Sequence, residues 1–153
     1  MIKVLFVCLG NICRSPMAEF IFKDIVNKNG LREDFYIESA ATSSEEIGND
    51  MYGLAKKKLD KENIPYEKRA ARKITNRDYD KFDFILGMEK RNCDNIIRII
   101  GSDSKGKVHR LLDFSDNPRD IADPWYTGDF DKAYNDILEG INGFIKLYYE
   151  EIK

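Results

Sequence analysis

The chain begins with a mostly apolar run, Ile2–Cys8, which is followed at once by turn-forming residues and then by a helical pattern. A run of this kind is typical of a strand that is buried on both faces. Further strands are predicted at residues 35–39, 82–88 and 108–114. Helical spacing of apolar residues predicts helices at 16–29, 50–62, 89–100 and 130–151, with loops at 40–49 and 115–128.

Strands that alternate with helices favour an α/β fold, here a four-stranded parallel sheet with helices on both faces in the flavodoxin-like three-layer arrangement. The chain has 153 residues, the usual size of one domain, and it shows no internal repeat or linker. We therefore expect residues 1–153 to form a single domain. Ligands of such sheets bind beyond the carboxyl ends of the strands, where Cys8 is expected to lie.

Composition and charge exclude several classes of protein. The 25 basic and 27 acidic residues give a net charge of −2, so no basic field favours nucleic acid. No apolar run approaches the roughly 20 residues that cross a bilayer, so no membrane insertion is expected. Three cysteines without a secretion signal predict reduced thiols in a cytoplasmic protein. The only histidine, His109, is expected to be structural, and we expect no metal and no cofactor.

Residues 8–15 read Cys-Leu-Gly-Asn-Ile-Cys-Arg-Ser, a composition that suits a loop around a tetrahedral oxyanion. Gly10 and Asn11 tolerate positive φ, so the backbone can curl with several N–H groups turned inward. Ser15 is a good N-cap and Pro16 suits the first helical position. A helix that starts at this point would direct its positive end at a bound anion.

Two side chains of this loop carry the chemistry that we expect. Arg14 offers a planar fork for two phosphate oxygens. Cys8 would lie where the backbone amides, the helix end and the Ser15 hydroxyl stabilise a nucleophilic thiolate. The alternative is an inert, buried Cys8 beside a capped helix, which would leave Arg14 without a purpose. The loop differs from the nucleotide-binding Gly-x-x-x-x-Gly-Lys-Ser/Thr motif, because the lysine is absent.

A second segment offers a general acid. A thiolate that attacks a phosphate monoester must expel an alkoxide or phenoxide, which requires a proton. Asp123 is followed by Pro124 and by the rings of Trp125 and Tyr126, which could desolvate the carboxyl group and stack on an aromatic substrate. The alternative is an aspartate that only caps a turn. Weaker candidates for the acid are Asp113, Asp116 and Asp120.

These segments together resemble the low-molecular-weight protein-tyrosine phosphatase family along essentially the whole chain. The matching pieces are residues 7–16 with Glu19, residues 39–43 and 47–49, residues 82–86 with Met88, and Asp123-Pro124. The resemblance implies metal-free hydrolysis of phosphotyrosine through a phosphocysteine intermediate. It also implies tyrosine-phosphorylated proteins as partners, such as a tyrosine kinase, with inorganic phosphate as product.

The resemblance also implies a role for each matched residue. Cys8 is expected to be the nucleophile, Arg14 the phosphate clamp, and Asp123 the general acid and later the base. The phosphate-binding loop and its support are expected to comprise Leu9, Gly10, Asn11, Ile12, Cys13, Ser15 and Ser39, with Ser39 bonded to Asn11 and Ser15 helping the thiolate to leave. Cys13 would form a reversible disulfide with Cys8, unless it is only a small packing residue. Cys93 is expected to be an ordinary helix residue.

Some positions depart from the family pattern. Members often carry an apolar wall residue where Glu45 stands, and the acid segment holds a Trp-Tyr pair where many relatives have two tyrosines. Arg69 aligns near a family histidine that supports the loop. The expected substrate pocket is Ile12, Glu45, Trp125 and Tyr126.

Three other functions compete with that of a tyrosine phosphatase. Arsenate reductases of related fold need a further cysteine pair downstream, and only Cys93 is available. Protein-arginine phosphatases of this superfamily tend to carry a small polar residue at the position of Ile12, which instead suits the apolar flank of a tyrosine ring. A non-catalytic phosphate-binding module would not need Cys8, Arg14 and Asp123 together.

Overall fold

The strands form one parallel sheet. A computed structural model describes the backbone of residues 1–152 and the side chains of residues 1–148, so Lys153 of the predicted domain lies outside the described residues. The strands of the described part are β1 (Ile2–Cys8), β2 (Phe35–Ala41), β3 (Phe84–Gly87) and β4 (Val108–Arg110). Their order is β2-β1-β3-β4, and every neighbouring pair is parallel. The predicted four-stranded parallel sheet is therefore confirmed.

Helices follow the strands along the chain. Those in the described residues are α1 (Arg14–Lys28), α2 (Gly53–Lys61), α3 (Asn76–Lys81), α4 (Lys90–Ile100), α5 (Pro124–Thr127) and α6 (Phe130–Ile152), with 3₁₀ turns at Arg32–Asp34 and Leu111–Phe114. Within that part of the chain, no helix combines the length and apolar character needed to cross a bilayer.

The sheet is covered on both faces, as the pattern of β1 requires. Successive side chains of a strand point to opposite faces. Val4 and Phe6 belong to a core that includes apolar residues of α1 and α6, while Leu5 and Val7 belong to a second core that includes residues of α3 and α4. The three-layer arrangement is thus confirmed, and it brings Cys8 to the carboxyl edge of a central strand, immediately before α1.

The fourth strand is shorter than predicted, which corrects the expectation that it reaches residue 114. β4 ends at Arg110, and the chain then forms the 3₁₀ turn Leu111–Phe114. The Arg110 amide donates to the Asp113 carboxylate at 3.0 Å, and the guanidinium Nε of Arg110 donates to the same carboxylate. This local cap competes with continued strand pairing.

Two short helices were not predicted. α3 lies between the predicted elements and begins with a capping box, in which the Thr75 amide donates to the Asp78 carboxylate at 2.8 Å. α5 lies inside the segment predicted as loop, with Asp123 as its N-cap and Pro124 at its start. Both starts carry recognised helix signals, Thr-x-x-Asp and Asp-Pro, but the helices are too short to show apolar periodicity.

Candidate active site

The loop between β1 and α1 is shaped by hydrogen bonds to its outer side. Four of its carbonyls accept backbone amides from elsewhere, with bonds from Thr42 to Cys8, Ser43 to Leu9, Tyr52 to Ile12 and Met17 to Cys13 at 2.8–3.1 Å. These carbonyl groups therefore accept hydrogen bonds from residues outside the loop. The Asn11 amide, in contrast, points inward and donates to Sγ of Cys8 at 3.3 Å.

Asn11 holds the loop in its curled shape. Its φ is 59°, in the left-handed region that asparagine tolerates better than most residues, and it is fully buried. The side-chain amide donates to Ser15 Oγ at 2.7 Å and to Ser39 Oγ at 2.9 Å. Its Oδ1 accepts from the guanidinium of Arg69 and from the amide of Arg72. A strained backbone is therefore fixed by four side-chain hydrogen bonds.

Gly10 differs from its prediction. Of the two turn-forming residues, only Asn11 takes a positive φ. A Cβ added at Gly10 would meet Cγ of Glu46 at 3.4 Å, an ordinary contact. The curl of the loop therefore depends on the left-handed backbone of Asn11 and not on Gly10.

Ser15 is not the N-cap, which corrects another expectation. α1 begins at Arg14, with Cys13 in the cap position and no side-chain cap, so Pro16 is not the first helical residue. The Ser15 hydroxyl instead lies 3.1 Å from Sγ of Cys8. A hydroxyl engaged with the sulfur and with Asn11 cannot also cap the helix, and it is placed to stabilise negative charge on the sulfur.

All cysteines are free thiols, and two of them line the same cavity. Cys8 and Cys13 are 3% and 4% exposed. Burial, followed by the negative charges of Cys8 and Asp123, raises the pKa of Cys13 to about 12. Burial also raises the pKa of Cys93 to about 11. Cys13 and Cys93 are therefore protonated at neutral pH.

Arg14 is the buried cation of the site. It is 1% exposed and forms ion pairs with two carboxylates, Nη2 with Asp123 at 3.2 Å and Nη1 with Glu89 at 3.3 Å. Nη1 also donates to the carbonyl of Ile121 at 2.7 Å. Nε is buried and has no hydrogen-bond partner among the described residues. The guanidinium thus has a donor left for an oxyanion.

Asp123 reaches the site from the start of α5. Its Oδ1 accepts from the Trp125 amide at 3.0 Å, which fixes the carboxylate on the helix start. The weaker candidates are engaged elsewhere: Asp113 and Asp120 pair with Arg110, and Asp116 borders a separate groove. Of the four aspartates considered, only Asp123 lines the cavity that contains Cys8.

One cavity of about 140 Å³ collects the predicted residues. Its lining comprises Cys8, Leu9, Gly10, Ile12, Cys13, Arg14, Glu45, Glu46, Asp123, Trp125 and Tyr126. Asn11, Ser15 and Ser39 do not line it but support the loop through the hydrogen bonds described above. Every residue predicted for the site therefore either lines the cavity or belongs to the hydrogen-bond network that supports the loop.

The aromatic side chains of the cavity are open to solvent. Trp125 is 51% exposed and Tyr126 is 76% exposed. The Trp125 ring packs edge-on against Tyr52, with 4.8 Å between ring centroids. The backbone amide of Tyr52 donates to the carbonyl of Ile12. Tyr52 therefore connects the loop between β1 and α1 to Trp125, which follows Asp123 in α5.

Sequence reasoning missed three residues of this site. Glu89 follows β3 directly, and its position at the carboxyl end of a strand is a signal that could have identified it. Glu46 is the neighbour of the predicted Glu45. Nothing in the sequence marks Tyr52.

His109, the only histidine of the sequence, does not line the cavity that contains Cys8. His109 contacts the Gly106 carbonyl at 3.0 Å and packs against the rings of Phe84 and Phe114. The described residues contain no group of three or more His, Cys, Asp or Glu side chains placed to hold a metal ion.

Comparisons with known proteins identify the family of the chain. The family model described as low molecular weight phosphotyrosine protein phosphatase matches residues 3–153. Low molecular weight protein-tyrosine-phosphatase YfkJ of Bacillus subtilis is 39% identical over 153 residues, covering 99% of this chain and 98% of the relative. The crystal structure of YfkJ superposes with a TM-score of 0.95 at 36% identity, covering 100% and 98% of the two chains. The structure of DARP, a drosophila arginine phosphatase, has a TM-score of 0.88 at 31% identity, covering 96% and 98%.

The family match spans almost the whole chain, and the relatives are matched over almost their whole length. The chain therefore belongs to the low molecular weight phosphotyrosine protein phosphatase family.

Proposed function

We propose that the protein hydrolyses phosphotyrosine in proteins, and small aryl phosphates, through a phosphocysteine intermediate. The observation that carries this proposal is that Cys8, Arg14 and Asp123 line one cavity, with Arg14 and Asp123 in direct contact. A thiol can attack phosphorus, a guanidinium can hold the phosphoryl oxygens, and a carboxyl group can protonate the leaving oxygen.

In the first step, the Cys8 sulfur attacks phosphorus and the bond from phosphorus to the tyrosine oxygen breaks. Asp123 gives its proton to that oxygen, so tyrosine leaves as a neutral phenol. The Asn11 amide and the Ser15 hydroxyl hydrogen-bond to the sulfur and stabilise it as a thiolate. The Arg14 guanidinium balances the negative charge of the phosphoryl oxygens.

In the second step, water attacks the phosphorus of the phosphocysteine while the Asp123 carboxylate takes up its proton. The sulfur–phosphorus bond breaks, and inorganic phosphate leaves. Cys8 returns as a thiolate, whose charge is stabilised by the same hydrogen bonds from Ser15 and Asn11. Asp123 is then protonated and ready for the next cycle, so the reaction needs no redox partner.

The cavity lining supports an aromatic phosphate ester as substrate. Leu9, Ile12 and the rings of Trp125 and Tyr126 offer apolar surface for a tyrosine ring. Such substrates are tyrosine-phosphorylated proteins, with a tyrosine kinase among the candidates.

A protein-arginine phosphatase is the second candidate function. The acidic side chains Glu45, Glu46 and Asp123 in the lining would accept a cationic guanidinium, and the arginine phosphatase DARP is a structural relative. Ile12 weighs against this reading because its apolar side chain offers no hydrogen bond to a guanidinium.

A turnover panel tests the assignment. The purified protein is given peptides that carry phosphotyrosine, phosphoserine or phosphoarginine, and arsenate with thioredoxin, and released phosphate or oxidised thioredoxin is measured. We expect selective phosphotyrosine turnover, whereas faster phosphoarginine turnover would replace the first proposal with the second. When the reaction is quenched with acid, the phosphocysteine intermediate should be trapped as phosphate bound to the protein. Cys8→Ser should abolish both turnover and this bound phosphate, whereas the matched Cys93→Ser variant should retain both.

We further propose that Cys13 protects Cys8 from irreversible oxidation. Both thiols line one cavity. Peroxide would oxidise Cys8 to a sulfenic acid, and attack by the Cys13 sulfur would form a disulfide and release water. Peroxide inactivation should be reversed by a dithiol in the wild type and become irreversible in Cys13→Ser. Equal recovery of both proteins would contradict this protective role.

A further inference from the structure

The two carboxylates bound to Arg14 have different relations to the proposed chemistry. Asp123 contacts Nη2 and is the proposed acid, whereas Glu89 contacts Nη1 and has no assigned role. To donate a proton, Asp123 must be a neutral carboxyl group, which no longer forms an ion pair with Arg14. At that stage Glu89 is the carboxylate that still holds the guanidinium.

The N–H donors of Arg14 fall into two groups, those of Nη1 and those of the edge formed by Nε and Nη2. A guanidinium carries five N–H donors in a rigid plane. Nη1 is occupied by the Ile121 carbonyl at 2.7 Å and by Glu89 at 3.3 Å. Nε has no partner among the described residues, and Nη2 is bound to Asp123, which phosphate oxygens can replace. The Nε–Nη2 edge is therefore the edge suited to grip two oxygens side by side.

Glu89 is itself held in place at the end of β3. The side chain of Asn92, 1% exposed, accepts the amides of Glu89 at 2.8 Å and of Met88 at 3.1 Å. The Met88 carbonyl accepts the amide of Ile121 at 2.9 Å. Both groups that occupy Nη1 thus belong to one bonded unit at the carboxyl edge of the sheet, which gives Nη1 a fixed anchor.

We propose that Glu89 is a positioning residue for the phosphate clamp. It fixes the rotation of the Arg14 guanidinium, so that the Nε–Nη2 edge faces the phosphoryl group throughout the cycle. The inference rests on the proposed function of the cavity. Glu89 is 20% exposed at its side chain, so its charge alone would oppose a phosphate dianion. Positioning and charge therefore predict opposite effects of its removal.

The competing explanation is that Glu89 only caps α4. It occupies the N-cap position, and its side chain accepts the amide of Asn92. Glu89→Ser separates the two roles, because serine is a preferred N-cap but is too short to reach Arg14. Glu89→Gln is a second variant that keeps the length and removes the charge. Thr75→Ala removes a comparable cap at α3, far along the chain from Arg14, and is the matched control.

The probe is inorganic phosphate, whose binding is measured by its protection of Cys8 from iodoacetamide. We expect Glu89→Ser to weaken phosphate binding about 10-fold, as for loss of a charged hydrogen bond, and Glu89→Gln to weaken it less. The KM for a phosphotyrosine peptide should rise by a similar factor. Thr75→Ala should lower the unfolding midpoint without changing phosphate binding.

A double-mutant cycle decides whether Glu89 acts through Arg14. In Arg14→Lys the ammonium has no edge to orient, so Glu89→Ser should have no further effect on phosphate binding. Unchanged or tighter phosphate binding in Glu89→Ser, or an equal loss in the Arg14→Lys background, would overturn the inference. Protection by phosphate needs no turnover, so a protein that binds phosphate but fails to hydrolyse phosphotyrosine would instead remove the proposed function.

Discussion

The guanidinium of Arg69 donates a hydrogen bond to Oδ1 of Asn11, the residue whose left-handed backbone shapes the phosphate loop. A second bond from Arg69 reaches the carbonyl of Asn49. Burial lowers the pKa of Arg69, but an arginine side chain remains protonated at neutral pH. The support of Asn11 from this side should therefore not change with pH around neutrality, unlike the support that a histidine would give.

Arg69→Gln should weaken the loop. Asn11 would lose a charged donor in a buried setting, so the free energy of unfolding should fall by about 1.5–3 kcal/mol. The value of kcat should fall as well, because the strained Asn11 backbone also directs its amide at Cys8. Chemical unfolding and steady-state kinetics measure the two effects.

The neighbouring Lys68→Gln variant is the control for Arg69. Lys68 is exposed, so the same loss of charge should leave both stability and kcat close to wild type. Equal losses of stability and kcat in the two variants would show that the change in net charge, and not the loss of the hydrogen bond to Asn11, causes them.

Asp123→Ala should slow substrates with poor leaving groups most. A general acid typically contributes about 100- to 10,000-fold, and its contribution shrinks when the leaving oxygen is a weak base. A series of aryl phosphates with different leaving-group pKa values should give a steeper dependence of kcat/KM in the variant. Asp116→Ala, an exposed aspartate outside the cavity, should give the wild-type slope. A shallow slope in Asp123→Ala would exclude it as the acid.

The parallel sheet and the position of the candidate site at its carboxyl edge were both predictable from the sequence. Strand β1 is a buried run with the same bounds in prediction and structure, and the residues after it must lie at the carboxyl edge. Cys8 and Arg14 are close in the chain, so local structure alone brings them together. Asp123 is distant in the chain, and its place was predicted from chemistry and from the family resemblance.

The errors have equally specific causes. Ser15 resembles an N-cap in sequence, but its hydroxyl is bonded to Cys8 and Asn11, a tertiary environment that propensity does not contain. The strand predicted to residue 114 ends early because Arg110 and Asp113 close a local cap. Glu89 was missed because its contact with Arg14 joins residues 75 positions apart.

Glu45→Lys should change the preference for charges that flank phosphotyrosine. Glu45 is exposed in the cavity lining and adjoins Glu46, so substrates with acidic flanks are repelled and those with basic flanks attracted. An exposed charge pair contributes roughly 0.2–1 kcal/mol, and reversal of the charge doubles that difference. The KM of each peptide should therefore shift about 2- to 30-fold at low salt, in opposite directions for the acidic and the basic peptide. Matched acidic and basic phosphopeptides, assayed at low and high ionic strength, measure the shift.

Glu67→Lys provides the control for Glu45, because Glu67 is exposed and borders a different groove. It makes the same change of net charge without changing the cavity lining. A shift that is equal in the two variants, or one that salt does not reduce, would contradict a local effect of Glu45.

The three thiols should react with iodoacetamide in a fixed order. Cys8 has hydrogen bonds to its sulfur that stabilise a thiolate, whereas the raised pKa values of Cys13, about 12, and Cys93, about 11, keep these two protonated. At pH 8 their thiolate fractions are about 1 in 10,000 and 1 in 1,000. Mass spectrometry of peptides should find Cys8 labelled first, with protection by phosphate.

The Cys8→Ser variant isolates the two slow thiols. Labelling of Cys93 and Cys13 should be slow at neutral pH and should rise about 10-fold per pH unit, because the thiolate is the reactive form and pH stays below both pKa values. Unfolding in denaturant should remove the difference, since burial is the largest cause of both raised pKa values. Rapid labelling of native Cys13 at pH 7 would show instead that it is a second reactive thiolate in the cavity.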